Sequence, residues 1–182
     1  PRLTMSLLNH VLTACLADIQ PFSEHVLRRP LRPYQIAPAR AIARAALARD
    51  GRVIALRLPR QSGKNELIAH AQAYILFLFQ RAGGKMVHTA PTYDPQARTA
   101  LERLASLKAS APLLKDLRFS DNTATLGKAQ ITFVSGQTRP TPMVGLTASL
   151  CLFGDEAQDI EENYWELAFA PMTTSTNAPS VF

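Results

Sequence analysis

Thirteen residues constrain this chain more than any other stretch: Val53–Asn65, Val-Ile-Ala-Leu-Arg-Leu-Pro-Arg-Gln-Ser-Gly-Lys-Asn. They open with an apolar, β-branched run that reads as a short buried strand. A turn over Pro59–Ser62 follows, then Gly63-Lys64, then a helical pattern from Asn65 to about Arg81. Strand, turn, Gly-Lys and helix in that order are the context that a phosphate-binding P-loop requires. Backbone N–H groups at such a turn face the anion, and the helix dipole adds to the attraction. Lys64 supplies a point charge for the outer phosphates. Against the pattern G-x-x-x-x-G-K-[ST], Leu58 stands at the first Gly and Asn65 at the final Ser/Thr. An Asn oxygen still suits Mg²⁺, which prefers hard oxygen ligands. The plainer alternative is a strand–helix turn that happens to contain Gly-Lys.

A second apolar strand, Ser149–Gly154, ends in Asp155-Glu156-Ala157-Gln158. Its first carboxylate is suited to hold Mg²⁺, as a Walker B Asp does. Its second is suited to orient and deprotonate a water for attack on a γ-phosphate. A surface turn or helix N-terminus accounts for two adjacent acids equally well on its own. The two motifs gain weight together, because each follows an apolar strand within an α/β pattern, and a parallel sheet brings strand ends to one rim.

The rest of the chain fits around these two. Leu3–Ile19 has helical periodicity, and Pro21, Pro30 and Pro33 then break the chain into a loop. Tyr34 is suited to stack on adenine, and the Gln35 amide both donates and accepts, as the adenine edge requires; a loop Tyr anchoring the next helix is the alternative. That helix, about Gln35–Asp50, carries Arg40 and Arg44 on one face, which reads as solvated. The P-loop helix is apolar nearly all round towards its end and should pack deeply. Lys85–Ala90 reads as a strand, Pro91–Pro95 as a loop at its C-terminal end, and Gln96–Ser110 as a helix. Leu117–Phe119, Thr123–Leu126 and Gln130–Val134 read as short strands, either an antiparallel insertion or an edge of the sheet. Gly136–Gly145 is a loop holding Arg139 and Thr141.

Charge is unevenly spread. From Ser149 onward there are six acids and no Lys or Arg, which leaves twenty bases against eight acids, a formal +12, in the part before it. Such asymmetry points to a polyanionic partner, nucleic acid or nucleotide, or else to solvated Arg on helix faces. Cys15 and Cys151 fall in different elements and make no disulfide framework. His10, His25, His70 and His88 lack metal-ligand spacing and read as structural or surface residues. No apolar run is long enough for a transmembrane helix, and no signal peptide is visible.

Tyr34-Gln35, Pro59-Arg-Gln-Ser-Gly-Lys-Asn65, Thr89-Ala-Pro91 and Leu152-Phe-Gly-Asp-Glu-Ala-Gln158 together resemble the ATPase domain of a tailed-phage terminase large subunit, over about Leu31 to the end. The Gly-Lys-Asn ending and Pro-Arg-Gln lead are similar to one branch of that family. The resemblance implies an α/β P-loop NTPase fold of the RecA/ASCE type: a mainly parallel sheet flanked by helices, with a small antiparallel strand insertion. It implies residues 1–30 as an N-terminal helical segment and 31–182 as the ATPase domain, without its C-terminal strands and nuclease domain. It implies Mg²⁺-dependent ATP hydrolysis that drives double-stranded DNA into a procapsid. Residue by residue, it implies that Tyr34 and Gln35 read adenine and that Gln61, Ser62, Gly63 and Lys64 wrap the phosphates. Asn65 and Asp155 meet the metal, Glu156 is catalytic, and Arg60 is the cis arginine finger, with Arg57 an outside candidate. The implied partners are double-stranded DNA, the portal of the procapsid, a small terminase subunit and further copies in a ring. The implied setting is the cytoplasm of a bacterial host, away from membranes. The family's coupling motif is expected just after Ser180-Val-Phe182, and Thr173–Thr176 reads as a polar loop. Two rivals stay open: a superfamily 2 helicase-like ATPase fragment, and a non-catalytic nucleic-acid-binding or assembly module of the same fold.

Overall fold

Seven strands form one sheet in the computed structural model of this chain: β1 (Val53–Ile54), β2 (Gly84–Ala90), β3 (Arg118–Ser120), β4 (Thr123–Leu126), β5 (Ala129–Ser135), β6 (Cys151–Gly154) and β7 (Ser180–Val181). The order across it is β1-β7-β6-β2-β5-β4-β3. The structure describes residues 2–59, 61–136 and 146–182, with residues 2–9 described by backbone alone. Five strands, β1, β7, β6, β2 and β5, pair in parallel. β3 and β4 continue the sheet antiparallel beyond β5. The three short strands are therefore a sheet edge: β5 joins β2 directly, and the antiparallel insertion is the β3–β4 hairpin beside it.

Helices cover both faces, as parallel sheets require. On one face lie α3 (Pro33–Ala48), α4 (Lys64–Phe79) and α5 (Arg98–Ser110), joined by the N-terminal α1 (Arg2–Ala17) and α2 (Ile19–Pro21). Met86, Ala90, Ile131, Phe133, Cys151, Phe153 and Val181 point into this layer. Val87, Val134 and Leu152 alternate to the other face, under Ile160, Phe169 and Met172 and the short helices α6 (Glu162–Tyr164) and α7 (Ala170–Thr174). Successive strand residues point to opposite faces, so the near-continuous apolar runs of β2 and β6 feed both layers.

Several expectations change. Residues 19–26 are helical, not loop: Asp18 caps α2 by accepting from the Gln20 N–H at 2.8 Å, and a wide helical turn, Phe22–Val26, follows. Pro21 is tolerated there because a first-turn residue needs no intrahelical donor. Phe22 stacks on Tyr74 and Phe77 of α4, with ring centroids 5.1 and 5.2 Å apart, so this segment shares the sheet's core. Arg40 is bound rather than simply solvated, to Asp18 at 2.8 Å. In α4 the fully buried stretch is its middle, Leu67 to Leu76, and Phe77–Phe79 are only half-buried. The P-loop strand is shorter and more exposed than its composition predicts. β1 is the outermost strand described, so Val53 is 67% exposed while Ile54, Leu56 and Leu58 face the core. Thr173 and Thr174 belong to α7 rather than to a loop. Cys15 and Cys151 are buried free thiols.

His88 sits in the middle of β2, fully buried between Phe133 and Phe153, with Nδ1 2.9 Å from the Gln72 amide of α4. Burial pushes its pKa down to about 4, with Asp155 opposing and Lys64 reinforcing the shift. Between about pH 6.5 and 4 the unfolded chain therefore binds a proton that the folded chain refuses, and stability falls as pH drops through that window. The full shift corresponds to a loss on the order of 3 kcal/mol. We expect a His88→Phe variant, followed by chemical denaturation at pH 7, 5.5 and 4, to lose less stability across this range than the wild type. Parallel losses in the two proteins would refute this role.

Candidate functional site

The chain leaves β1 and turns back over Pro59–Ser62, where the Ser62 N–H bonds the Pro59 carbonyl at 3.2 Å. Gln61 and Gly63 take positive φ angles of 60° and 82°. Gly63 is required twice over: a Cβ there would lie 2.8 Å from the Gln35 amide nitrogen, and the left-handed backbone strains other residues. Lys64 then begins α4, whose first N–H groups have no carbonyl within the helix to bond. These amides, the helix dipole and the Lys64 ammonium converge on a pocket of about 540 Å³ lined by Leu58, Pro59, Gln61, Ser62, Asn65 and Glu156 among others.

The second motif meets the first at this pocket. Lys64 Nζ lies 2.8 Å from Asp155 Oδ1 and 3.0 Å from Glu156 Oε1, linking residues far apart in sequence. The Asp155 N–H bonds the Thr89 carbonyl at 2.8 Å, extending the β2–β6 ladder one residue past the strand. Asp155 is therefore held in the sheet and buried. Glu156 turns away at φ 49°, keeps an exposed side chain and accepts from the Gln158 amide at 2.6 Å. Burial pulls the Lys64 pKa down, but its close approach to Asp155 and its hydrogen bond to Glu156 win, and the ammonium is held above its ordinary value. At neutral pH it is charged.

Tyr34 and Gln35 start α3 beside the P-loop. Tyr34 leaves its ring half-exposed, while its hydroxyl donates to the Ser62 carbonyl at 2.6 Å and accepts from Arg32. Gln35 is buried, and its amide is already engaged. Nε2 donates to the carbonyls of Ser62 at 3.3 Å and Gly63 at 3.0 Å, and Oε1 accepts from the Arg32 N–H at 3.0 Å. As placed, Gln35 ties the P-loop to α3. Arg57 is exposed and does not line the pocket. Arg60, Arg139 and Thr141 lie outside the described residues. The Pro91–Pro95 loop adds no residue to the pocket lining.

Sequence reasoning missed two lining residues, Glu66 and Arg103. Glu66 is the third residue of α4, and its position next to the Gly-Lys pair was a signal. Arg103 comes from α5, thirty-seven residues further on, and meets Glu66 at 3.2 Å. No local pattern marks it.

Parallel strands, a P-loop at the end of one and an acid pair at the end of another define the class: a P-loop NTPase fold. Solved phage proteins share it. The large terminase ATPase domain of Thermus phage P74-26 matches with a TM-score of 0.66 at 21% identity, over 87% of this chain and 66% of that one. The large terminase of bacteriophage HK97 matches at 0.71 and 15%, over 91% of this chain and 36% of that one. The large terminase of another thermophilic bacteriophage matches at 0.64 and 16%, over 85% of this chain and 39% of that one. At these identities the likeness is one of fold, and this chain spans under two-fifths of the latter two proteins. No protein-family model matches the chain, and no curated protein does.

Replacing Gln35 by Leu keeps the volume, takes one of two donors from each of the Ser62 and Gly63 carbonyls, which retain the Tyr34 hydroxyl and the Leu67 N–H, and removes the acceptor of the Arg32 N–H. We expect a loss of about 2 kcal/mol, a melting temperature lower by roughly 4–8 °C, and faster amide exchange over residues 62–65. Unchanged exchange there, measured by hydrogen–deuterium mass spectrometry, would show that Gln35 does not hold the loop.

Proposed function

We propose that this chain is the ATPase motor domain of a viral terminase large subunit, hydrolysing ATP to drive double-stranded DNA into a procapsid. One observation carries the reading: the Lys64 ammonium spans Asp155 and Glu156 across the mouth of the P-loop pocket. Two motifs from distant parts of the chain thus form one cluster, with the charges that a nucleoside triphosphate and its counter-ion need. The formal +12 of the part before Ser149 is in keeping with a polyanion track. The implied partners are DNA, the portal, a small terminase subunit and further copies in a ring.

The residues fit a hard divalent cation. Two carboxylates already hold an ammonium between them, and Asn65 lines the same pocket. Among the described residues, no group of three or more His, Cys, Asp or Glu is arranged for a metal. Mg²⁺ takes one or two protein oxygens and fills its shell from phosphate and water. Asp155 and Asn65 would hold it, and when bound it offsets charge on the β- and γ-phosphate oxygens.

The chain's own residues do the rest. The Gln61–Lys64 backbone and the start of α4 bind the phosphates, and Tyr34 offers an aromatic face to the base. Lys64 exchanges its carboxylate partners for phosphate oxygens. Glu156, exposed at the pocket mouth, then orients a water and accepts its proton as the oxygen attacks phosphorus.

Steady-state ATP hydrolysis with Mg²⁺, with and without double-stranded DNA, tests the reading. We expect Glu156→Gln to bind ATP near the wild-type affinity and to lose about a hundredfold or more in turnover, the usual contribution of a general base. Lys64→Ala should weaken ATP binding by about tenfold or more. Wild-type turnover in Glu156→Gln overturns the base assignment. Absence of both binding and turnover in the wild type favours the non-catalytic module, and strand separation by the chain favours the helicase.

A further inference from the structure

Glu66 is a second carboxylate, besides Glu156, in a pocket whose loop and helix start are built for an anion. It lines the same cavity as Gln61–Asn65, one residue past Asn65. Its carboxylate lies 3.2 Å from Arg103 Nη1, 3.5 Å from Arg29 Nη1 and 3.4 Å from His70 Nε2. A carboxylate beside a triphosphate is repulsive unless a cation offsets it.

Three groups surround Glu66, and they are not equivalent. His70 Nε2 lies 3.4 Å from Oε1, in a buried ring whose Nδ1 is 2.9 Å from Ser23 Oγ. Arg29 Nη1 lies 3.5 Å from the same oxygen, and its guanidinium is tied to α5 by bonds to Ser106 Oγ at 3.2 Å and the Ser106 carbonyl at 3.1 Å. Neither lines the pocket. Arg103 does. Its guanidinium bonds Glu66 Oε2 at 3.2 Å and, among the described residues, has no other hydrogen-bond partner. Of the two arginines it is the one that lines the pocket, and its planar fork carries further donors suited to phosphate oxygens.

Position says which phosphate. Tyr34 approaches the P-loop from α3, and Arg103 approaches from α5, which packs against α4 and β5. The acid pair extends from β6, which in the sheet lies on the β5 side of β1 and β7. A nucleotide with its base at Tyr34 and its phosphates along the start of α4 points its far end towards the acid pair and Arg103.

Resting on the nucleotide-binding reading above, we propose that Arg103 is a further phosphate contact in cis, taking the terminal phosphate of a bound nucleoside triphosphate while Arg29 stays paired with Glu66. It tells a triphosphate from a diphosphate, because only the former reaches it.

The test compares the affinities of ATPγS and ADP, each displacing a fluorescent nucleotide from wild-type, Arg103→Ala and Arg103→Lys proteins. The expected result for Arg103→Ala is about tenfold weaker ATPγS binding, the usual loss for a charge-assisted hydrogen bond, with ADP within about twofold. Arg103→Lys should recover part of the difference. The melting temperature should hardly move, since the Arg103–Glu66 pair is solvent-exposed on the Arg side. Equal weakening of both nucleotides, or no change in either, overturns the assignment while leaving the nucleotide site intact. Failure of the wild type to bind ATPγS or ADP overturns the nucleotide-binding reading itself, and the Arg103 proposal with it.

Discussion

Parallel pairing is the constraint on which the rest of this structure depends. In a parallel sheet all strands end at the same rim, so a turn after β1 and an acid pair after β6 are brought together without any contact in sequence. The register adds precision. Thr89 pairs with Gly154, and one more ladder bond, from the Asp155 N–H to the Thr89 carbonyl, fixes the first acid in the sheet. The chain then turns at Glu156 through a left-handed conformation. Two neighbouring carboxylates thereby acquire different surroundings, one buried and rigid, the other exposed at the pocket. Environment rather than residue type separates their chemistry.

Charge balance is the second determinant. A half-buried ammonium loses part of its hydration unless paired, and Lys64 is paired twice. The cluster carries one net negative charge, which suits a divalent cation, and the partners of Lys64 can be exchanged for phosphate oxygens with little change in the number of its charge contacts. Glu66 repeats the pattern a turn away, with Arg29, His70 and Arg103 around one carboxylate. Through Arg29 and the His70–Ser23 contact, the first thirty residues reach the P-loop helix. The apolar packing of Phe22 on Tyr74 and Phe77 makes that reach rigid.

Much of this was legible in the chain. The P-loop, the Asp-Glu strand end, β2, α4 and the three short strands near residues 117–135 follow from apolar runs, Gly positions and turn pairs, which are local signals. What was misread was decided by neighbours. The apolar run at Val53 reads as buried, but the strand lies at the edge described here, and one side of it meets no partner. The prolines near residue 21 read as breakers, but Asp18 caps the turn and apolar packing closes it. At Gln35 the chain shows an amide suited to an adenine edge, and no local signal marks its contacts with the loop. Its bonds to Ser62 and Gly63 arise only when α3 docks on the loop.

By itself the sequence determined the kinds of chemistry available: a Gly-Lys turn for an anion, a pair of carboxylates for a cation and a proton, and the α/β alternation that makes a parallel sheet. These are set by composition and spacing over a few residues, where backbone preference and hydrophobic period dominate. The tertiary structure alone decided which charges meet: Lys64 with Asp155 and Glu156, Glu66 with Arg29 and Arg103, His88 with two phenylalanines. Such pairings depend on distances between elements far apart in the chain. Those distances exist only once the sheet has ordered its strands and the helices have packed against it.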